Sequence, residues 1–284
     1  MSSVTFVTCY VSIYDNDKPF DNKDNAWRYQ HFEKLAKSGV QICLYVCSKS
    51  YDDLIPIISQ YPNIKTMKII NLEDTLTYKQ CKDLEYTLPS QRHLIKDSLN
   101  YMILMNSKIE FVNDAILENP WNSTHFAWID FSMAYILKQP DASFEKLSVL
   151  SKMKYPEHFL LFPGCWNKLE RNKVDTILES IHWRFCGTFF LGDAASMQQF
   201  YEFHTHYFTG FMKQHKKLIW EVNYWAWLEA NTDWRPHWYI SDHNDAIFNI
   251  PTWYYATLLN SKLTKNAYSY PEITDFFSSN TAYL

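Results

Sequence analysis

Val4-Thr5-Phe6-Val7-Thr8-Cys9-Tyr10-Val11-Ser12-Ile13 is a run without Gly, Pro or charge, rich in β-branched residues. It reads as a buried strand, and the alternation that it opens decides the fold. A polar stretch over 14–24 leads into a helix expected over 25–38 and stopped by Gly39. Strand composition returns over 41–48, a short helix is expected over 51–60, and 64–70 gives a third strand. Strand, helix, strand, helix, strand is the opening of a parallel sheet of Rossmann type. Such a sheet takes right-handed crossovers, carries helices on both faces and binds ligands beyond the carboxyl ends of its strands.

Outward from that opening, 71–89 is polar and poorly periodic, a loop or short helix near the mouth of a site. From Ser90 the apolar stripe Ile95, Leu99, Met102, Ile109, Val112 and Ile116 predicts a helix ending before Asn119-Pro120. Asn106 falls in that stripe, so Met105-Asn106-Ser107-Lys108 marks a bend that offers groups to a ligand. His125 to Met133 alternates, with Phe126, Trp128, Asp130 and Ser132 on one face, and reads as a strand. A second half comes next, with a helix over 142–152, strands over 159–163 and 184–191, and helices over 194–213 and 217–230. The tail after Tyr255 is polar. No repeat or linker divides the chain, so residues 1–284 are expected to be one domain with lobes of about 1–135 and about 136–260.

Composition narrows the function. With 27 Lys plus Arg against 31 Asp plus Glu there is no surplus positive charge for a phosphate backbone, so no nucleic-acid partner is expected. Gly numbers only 5 and neither GxGxxG nor GxxxxGK[ST] occurs, which excludes phosphate cradles of those types. Aromatic residues make up 18% of the chain; they serve either sugar faces or an aromatic core, and composition leaves the two even. The first residues carry no secretory pattern and no long apolar run appears, so a cytoplasmic protein without a membrane span is expected. Six cysteines without a CxxC pair read as reduced, buried thiols.

Several groups stand out as chemistry. Asp130, between Ile129 and Phe131 in an apolar strand, must find a cation, either in a structural salt bridge or as a ligand of a phosphate-bound divalent metal. Asp242-His243-Asn244-Asp245 is either an Asx turn or an oxygen-rich Mg or Mn site through Asp242, His243 and Asp245; without a paired Cys it is not a zinc pattern. Glu221 lies on a helix apolar all round, where an unpaired carboxylate gains the basicity of a general base; its neighbours Trp220 and Asn223 are of sugar-contact type. Lys108, Arg92 and Arg28 are cations for phosphates or solvated surface groups. His204 and His206, two apart on a helix, diverge and cannot share a metal.

Asn106-Ser107-Lys108, Ala115-Ile116, Asn119-Pro120 and Phe126-Ala127-Trp128-Ile129-Asp130-Phe131 together resemble the HtrL/YibB-like bacterial proteins, also called the WlaTC/HtrL family. Phe6-Val7-Thr8, the Arg28 helix, Phe185-Cys186-Gly187-Thr188-Phe189-Phe190-Leu191-Gly192 and Trp220-Glu221 are similar as well, so the likeness runs to about Pro251. The resemblance implies a GT-A-like glycosyltransferase with a nucleotide-sugar donor, its first lobe holding the donor and its second the acceptor. It implies that Thr8 and Tyr10 meet the base and ribose, with Arg28, Arg92, Asn106, Lys108 and Trp128 around the donor. Gly187, Thr188, Trp220 and Asn223 would face the acceptor sugar. It also implies an acidic DxD motif for Mn or Mg; Asp130-Phe131-Ser132 stands there with one acid missing, to be completed by His243, Asp242 or Asp245. The expected reaction is sugar transfer from a nucleotide-sugar to a glycan hydroxyl, with Asp130 and Glu221 catalytic. Rivals are a glycan-binding module without turnover and a glycoside hydrolase using Glu221 and Asp242.

Overall fold

The structure, a computed structural model, describes residues 4–13 and 24–251. The polar connection expected over 14–24 lies almost wholly outside the described residues, and the tail after Tyr255 lies entirely outside them.

The opening alternates as its sequence dictates: β1 (Val4–Tyr10), α1 (Asn25–Lys37), β2 (Gln41–Val46), α2 (Ser48–Gln60) and β3 (Ile64–Ile69). β1 pairs in parallel with β2, and β2 with β3. A 3₁₀ turn at Leu72–Asp74 and α3 (Leu76–Cys81) then occupy the stretch expected to be loop or short helix. Glu110 holds α3 in place by accepting hydrogen bonds from the Leu76 and Thr77 amides.

The long apolar stripe folds as two helices, α4 (Leu99–Asn106) and α5 (Lys108–Glu118), joined at Ser107. The break falls at the bend read from the sequence. Ile95 and Leu99 do not join the buried face, being 66% and 42% exposed. α5 stops at Asn119, which takes a left-handed conformation before Pro120. β4 (His125–Ile129) comes next and pairs in parallel with β1 on the side away from β2.

The second half adds α6 (Pro140–Leu150), β5 (Leu160–Gly164), α7 (Val174–Glu179), β6 (Phe189–Asp193), α8 (Ala194–His215), α9 (Glu221–Asn231) and β7 (His237–Ile240). The strand expected over 184–191 begins only at Phe189, and the helix expected from 217 begins at Glu221. One seven-stranded sheet results, in the order β3-β2-β1-β4-β6-β5-β7, with β6 antiparallel to both its neighbours and the other pairings parallel. The fold class is therefore α/β, a mostly parallel sheet with helices on both faces.

Alternation along the strands feeds two cores. Val7, Cys9, Phe126 and Trp128 point to a layer with α4, α5, α8 and α9, while Phe6, Tyr10, Ala127 and Ile129 point to one with α1, α2 and α6. Much of the aromatic surplus sits in the first layer, where Phe162, Phe190, Phe200, Trp225 and Trp234 pack edge to face and stacked. Among the described residues no helix is long and apolar enough to cross a membrane.

Candidate functional site

The chain leaves β1 to build β2 and β3 on one side, then returns to place β4 on the other, so the strand order reverses between β1 and β4. Loops beyond the carboxyl ends of these two strands surround a cavity of about 920 Å³. Open α/β sheets bind ligands at such a reversal because the loops diverge there and leave a crevice. Tyr10, Arg28, Lys108, Trp128, Asp130, Gly187, Thr188, Trp220, Glu221 and His243 all line it, and thus ten of the residues singled out in the sequence meet at one place.

At its floor three charges share one contact. Lys108, the first residue of α5, is fully buried, and its Nζ donates to Glu221 Oε1 at 2.9 Å and to the Gly187 carbonyl at 2.8 Å. The same ammonium lies 3.1 Å from Asp130 Oδ1 and 5.6 Å from the Trp128 ring centre. Trp128 Nε1–H donates to Asp130 Oδ1 at 2.8 Å, so both the cation and the indole fix one oxygen of that carboxylate. Burial by itself would lower the Lys108 pKa, but the Asp130 and Glu221 carboxylates outweigh it and push the pKa above the usual lysine range. The lysine stays charged.

Exposure separates the two acids. The Glu221 side chain is 7% exposed and closed in, whereas that of Asp130 is 31% exposed and reaches the cavity. Asp130 Oδ2 accepts no hydrogen bond from the described residues. The expectation of Glu221 as a free base therefore needs correction: its carboxylate is one half of a buried ion pair. Gly187 is what lets the pair close, because a Cβ built there would lie 2.3 Å from Glu221 Oε1.

Around this floor the walls are mixed. Trp27, Tyr135, Trp183 and Trp220 present rings, and Arg28 presents a guanidinium with no ion-pair partner among the described residues. Thr188 Oγ1 is buried at the wall without a partner among the described residues, and the Thr188 carbonyl accepts from the Asp130 amide. Tyr10 donates its hydroxyl to Asn25 Oδ1 and stacks on Phe131 at 4.6 Å.

Six expected contacts fall elsewhere. Thr8 is sealed inside the sheet, because the alternation that points Cys9 and Tyr10 to the two layers ends only beyond it. Asn106 uses its Nδ2 to tie the Met102 carbonyl of α4 to the Ile219 carbonyl before α9. Asn223 likewise staples the segment after α7, donating to the Ile177 and Ser180 carbonyls and accepting from the His182 amide. Arg92 turns back to the Pro89 carbonyl. Asp245 accepts from the Lys138 and Gln139 amides and the Ser143 hydroxyl, capping the start of α6, and so is engaged away from Asp130. Asp242 is exposed beside His243, outside the cavity wall.

Two features escape a reading of the sequence. Arg184 and Glu229 form a buried two-pronged pair, 2.8 Å at each prong, with Trp238 against the guanidinium. Cys165, just past β5, and Cys186 bring their sulfurs to 3.7 Å, with His243 beside them. The hydrogen bond from Cys186 lowers the Cys165 pKa to about 6 and raises that of Cys186 above the usual thiol range. No signal in the spacing of Cys165, Cys186 and His243 announces either contact; the parallel pairing of β5 with β7 brings Cys165 near His243, and the bond from the Cys186 amide to the Pro163 carbonyl adds Cys186.

Residues 86–217 match the family model described as a bacterial protein of unknown function (HtrL_YibB). No curated protein matches the sequence. Among solved structures, mouse xyloside xylosyltransferase 1 in its apo form is similar at 7% identity and a TM-score of 0.42, over 84% of each chain. A 4-diphosphocytidyl-2C-methyl-D-erythritol synthase from Anaerococcus prevotii is similar at 9% identity and a TM-score of 0.37, over 91% of this chain and 96% of that one. Galactosyltransferase LgtC in complex with donor and acceptor sugar analogues is similar at 8% identity and a TM-score of 0.38, over 77% of this chain and 68% of that one. The resemblance carried by Asn106-Ser107-Lys108 and the strand to Asp130 is thus met by the match of residues 86–217 to the HtrL_YibB family model.

Proposed function

We propose that the chain is a glycosyltransferase that takes a nucleotide-sugar donor and passes its sugar to a hydroxyl of a glycan. The observation that carries this reading is the position of Asp130. It is a carboxylate anchored by Trp128 and Lys108, turned to a cavity at the reversal between β1 and β4, where a mononucleotide docks in open sheets of this type. Rings on the walls offer stacking faces for base and sugar, and Arg28, without an ion-pair partner among the described residues, offers a fork for phosphate.

In the transfer, the bond from the anomeric carbon to the diphosphate oxygen breaks as the acceptor oxygen bonds to that carbon, and the acceptor hydroxyl's proton passes to the departing diphosphate oxygen. Negative charge grows on the leaving diphosphate and must be met by fixed positive charge. Lys108 with Asp130 and Glu221 sums to one surplus negative charge, and Asp130 Oδ2 is left over to hold a cation. One carboxylate oxygen suits Mg or Mn that arrives on a diphosphate and keeps several waters; Ser132 occupies the place of a second acid. Such an ion supplies charge neutralisation for the leaving group. Asp130 would hold the cation, Lys108 fixes the orientation of Asp130, and Glu221 is a positioning residue that keeps Lys108 in place.

Titration calorimetry of the full chain with UDP, GDP and CDP, each with and without Mn, tests the reading. A nucleoside diphosphate should bind, and more tightly with Mn. No binding of any of the three under either condition would overturn it, and affinity for oligosaccharides alone would favour the non-catalytic glycan-binding module. Glu221→Gln separates positioning from base chemistry: with intact positioning through its amide oxygen, the rate per folded molecule should hold while the melting temperature falls. A loss of about 10²-fold in rate at unchanged donor affinity would instead restore Glu221 as general base.

A further inference from the structure

We infer that Cys165, Cys186, His243 and Asp242 form a tetrahedral zinc site at the rim of the cavity. Four of the six edges between these ligand atoms stand near the lengths such a site needs. Zn–S bonds of about 2.3 Å and Zn–N or Zn–O bonds of about 2.0 Å give tetrahedral edges of about 3.8 Å between sulfurs and about 3.4 to 3.6 Å for the mixed pairs. The observed edges are 3.7 Å between Cys165 Sγ and Cys186 Sγ and 3.9 Å between Cys186 Sγ and His243 Nδ1. Asp242 Oδ1 stands 3.7 Å from Cys165 Sγ and 3.4 Å from His243 Nδ1. The two sulfurs and the imidazole nitrogen all lie within 4.8 Å of one another.

Backbone pairing holds these corners without help from an ion. The Cys165 amide donates to the Trp183 carbonyl, the Cys186 amide to the Pro163 carbonyl, and the Ser241 amide to the Gly164 carbonyl, so three chain segments are laced together around the cluster. Gly164 permits that lacing, since a Cβ there would come within 1.9 Å of the Arg184 carbonyl oxygen. Two thiolates and an imidazole select zinc over the hard, oxygen-seeking Mg and Mn. His243 is therefore assigned to sulfur-bound metal and not to the shell of Asp130. A disulfide would need sulfurs at about 2.05 Å, a different geometry from the one seen.

The site clamps the segment of His243 against Trp183, whose ring meets it edge to face at 4.4 Å and lines the cavity. Zinc here is structural, and its presence is independent of whether the cavity takes a nucleotide-sugar.

The test is metal analysis of the full chain purified under reducing conditions without chelator, followed by exchange with cobalt. The expected result is about one zinc per chain and, with cobalt, thiolate charge-transfer absorption together with the intense visible bands of a tetrahedral ion. Cys165→Ser, at a half-buried position, should weaken zinc affinity at least about tenfold, and Asp130→Asn should leave zinc content unchanged. Asp242→Asn, at an exposed position, should also weaken it. A wild-type chain that neither retains zinc nor takes up cobalt would overturn the site. So would a cobalt spectrum without thiolate bands, or a Cys165–Cys186 disulfide in the reduced preparation. The cobalt measurement on the wild-type chain decides the matter even where a cysteine variant fails to fold.

Discussion

Lys108 and Arg184 are the two cations nearly removed from water among the described residues, and they are neutralised in different ways. Arg184 meets a single carboxylate, Glu229, prong for prong, and gives its remaining nitrogen to the Trp166 carbonyl. Positive and negative charge cancel and the pair lies outside the lining of the cavity at β1 and β4. Lys108 meets two carboxylates, and the second, Asp130, stands in the cavity wall. A balanced pair behaves as a strut, while an unbalanced one carries charge left over for a ligand. Burial and distance alone do not tell these two apart; the count of charges does.

The largest effect should come from breaking the strut. Glu229→Ala leaves Arg184 buried without a counter-charge, which costs about 3 to 5 kcal/mol in urea unfolding. Nucleoside diphosphate affinity per folded molecule should not change; a parallel loss of affinity would erase the contrast between the two cations. Next comes Gly187→Ala, whose methyl group must push the Glu221 carboxylate off Lys108, at about 1 to 3 kcal/mol. Combined with Glu221→Ala the two changes should couple, and strict additivity would show that the close approach at Gly187 is not what the pair depends on.

Asp130→Asn should have a smaller effect on stability, within about 1 kcal/mol, because Trp128 still has an oxygen to donate to and Lys108 keeps Glu221. Its signature is in binding: the gain in nucleotide affinity from Mn should fall by about tenfold or more, equivalent to about 1.4 kcal/mol. An unaltered metal response would remove Asp130 from the site.

The smallest effect concerns a third way of burying a basic group, which is to leave it neutral. His204 is enclosed by Phe208 and Tyr224, and burial lowers its pKa from 6.5 to about 3. Below pH 6.5 the unfolded chain takes up a proton that the folded chain refuses until about pH 3, so stability is lost as pH falls through that window. Between pH 6.5 and 5.5 the loss is about 1 kcal/mol. His204→Phe should flatten this part of the pH profile of urea unfolding, and an unchanged slope would assign the acid sensitivity to other groups.

The first half of the sheet is legible in the sequence because each of its strands carries a local signal: an apolar run, a turn and an amphipathic partner helix. The later half departs from its local pattern where tertiary contacts overrule it. Residues 184–188 have strand composition, yet Arg184 is drawn to Glu229 and Gly187 is taken up by Lys108 and Glu221, so pairing waits until Phe189. In the site, Asp130 and Lys108 stand out because charge in an apolar setting must be answered. Asn106 and Asn223 look equally suited to a ligand, but an amide also matches two backbone carbonyls, and residue type alone does not separate a staple from a contact. Cys165, Cys186 and His243 stay hidden because nothing local relates residues on different strand ends.

Lys108 opens α5 and Glu221 opens α9, and their side chains meet at 2.9 Å. The two helices are thus latched to each other at their first residues, and a change at either one loosens both of them at once. The surplus negative charge stays with the carboxylates, so the floor of the cavity repels a bare anion and accepts one that brings its own cation.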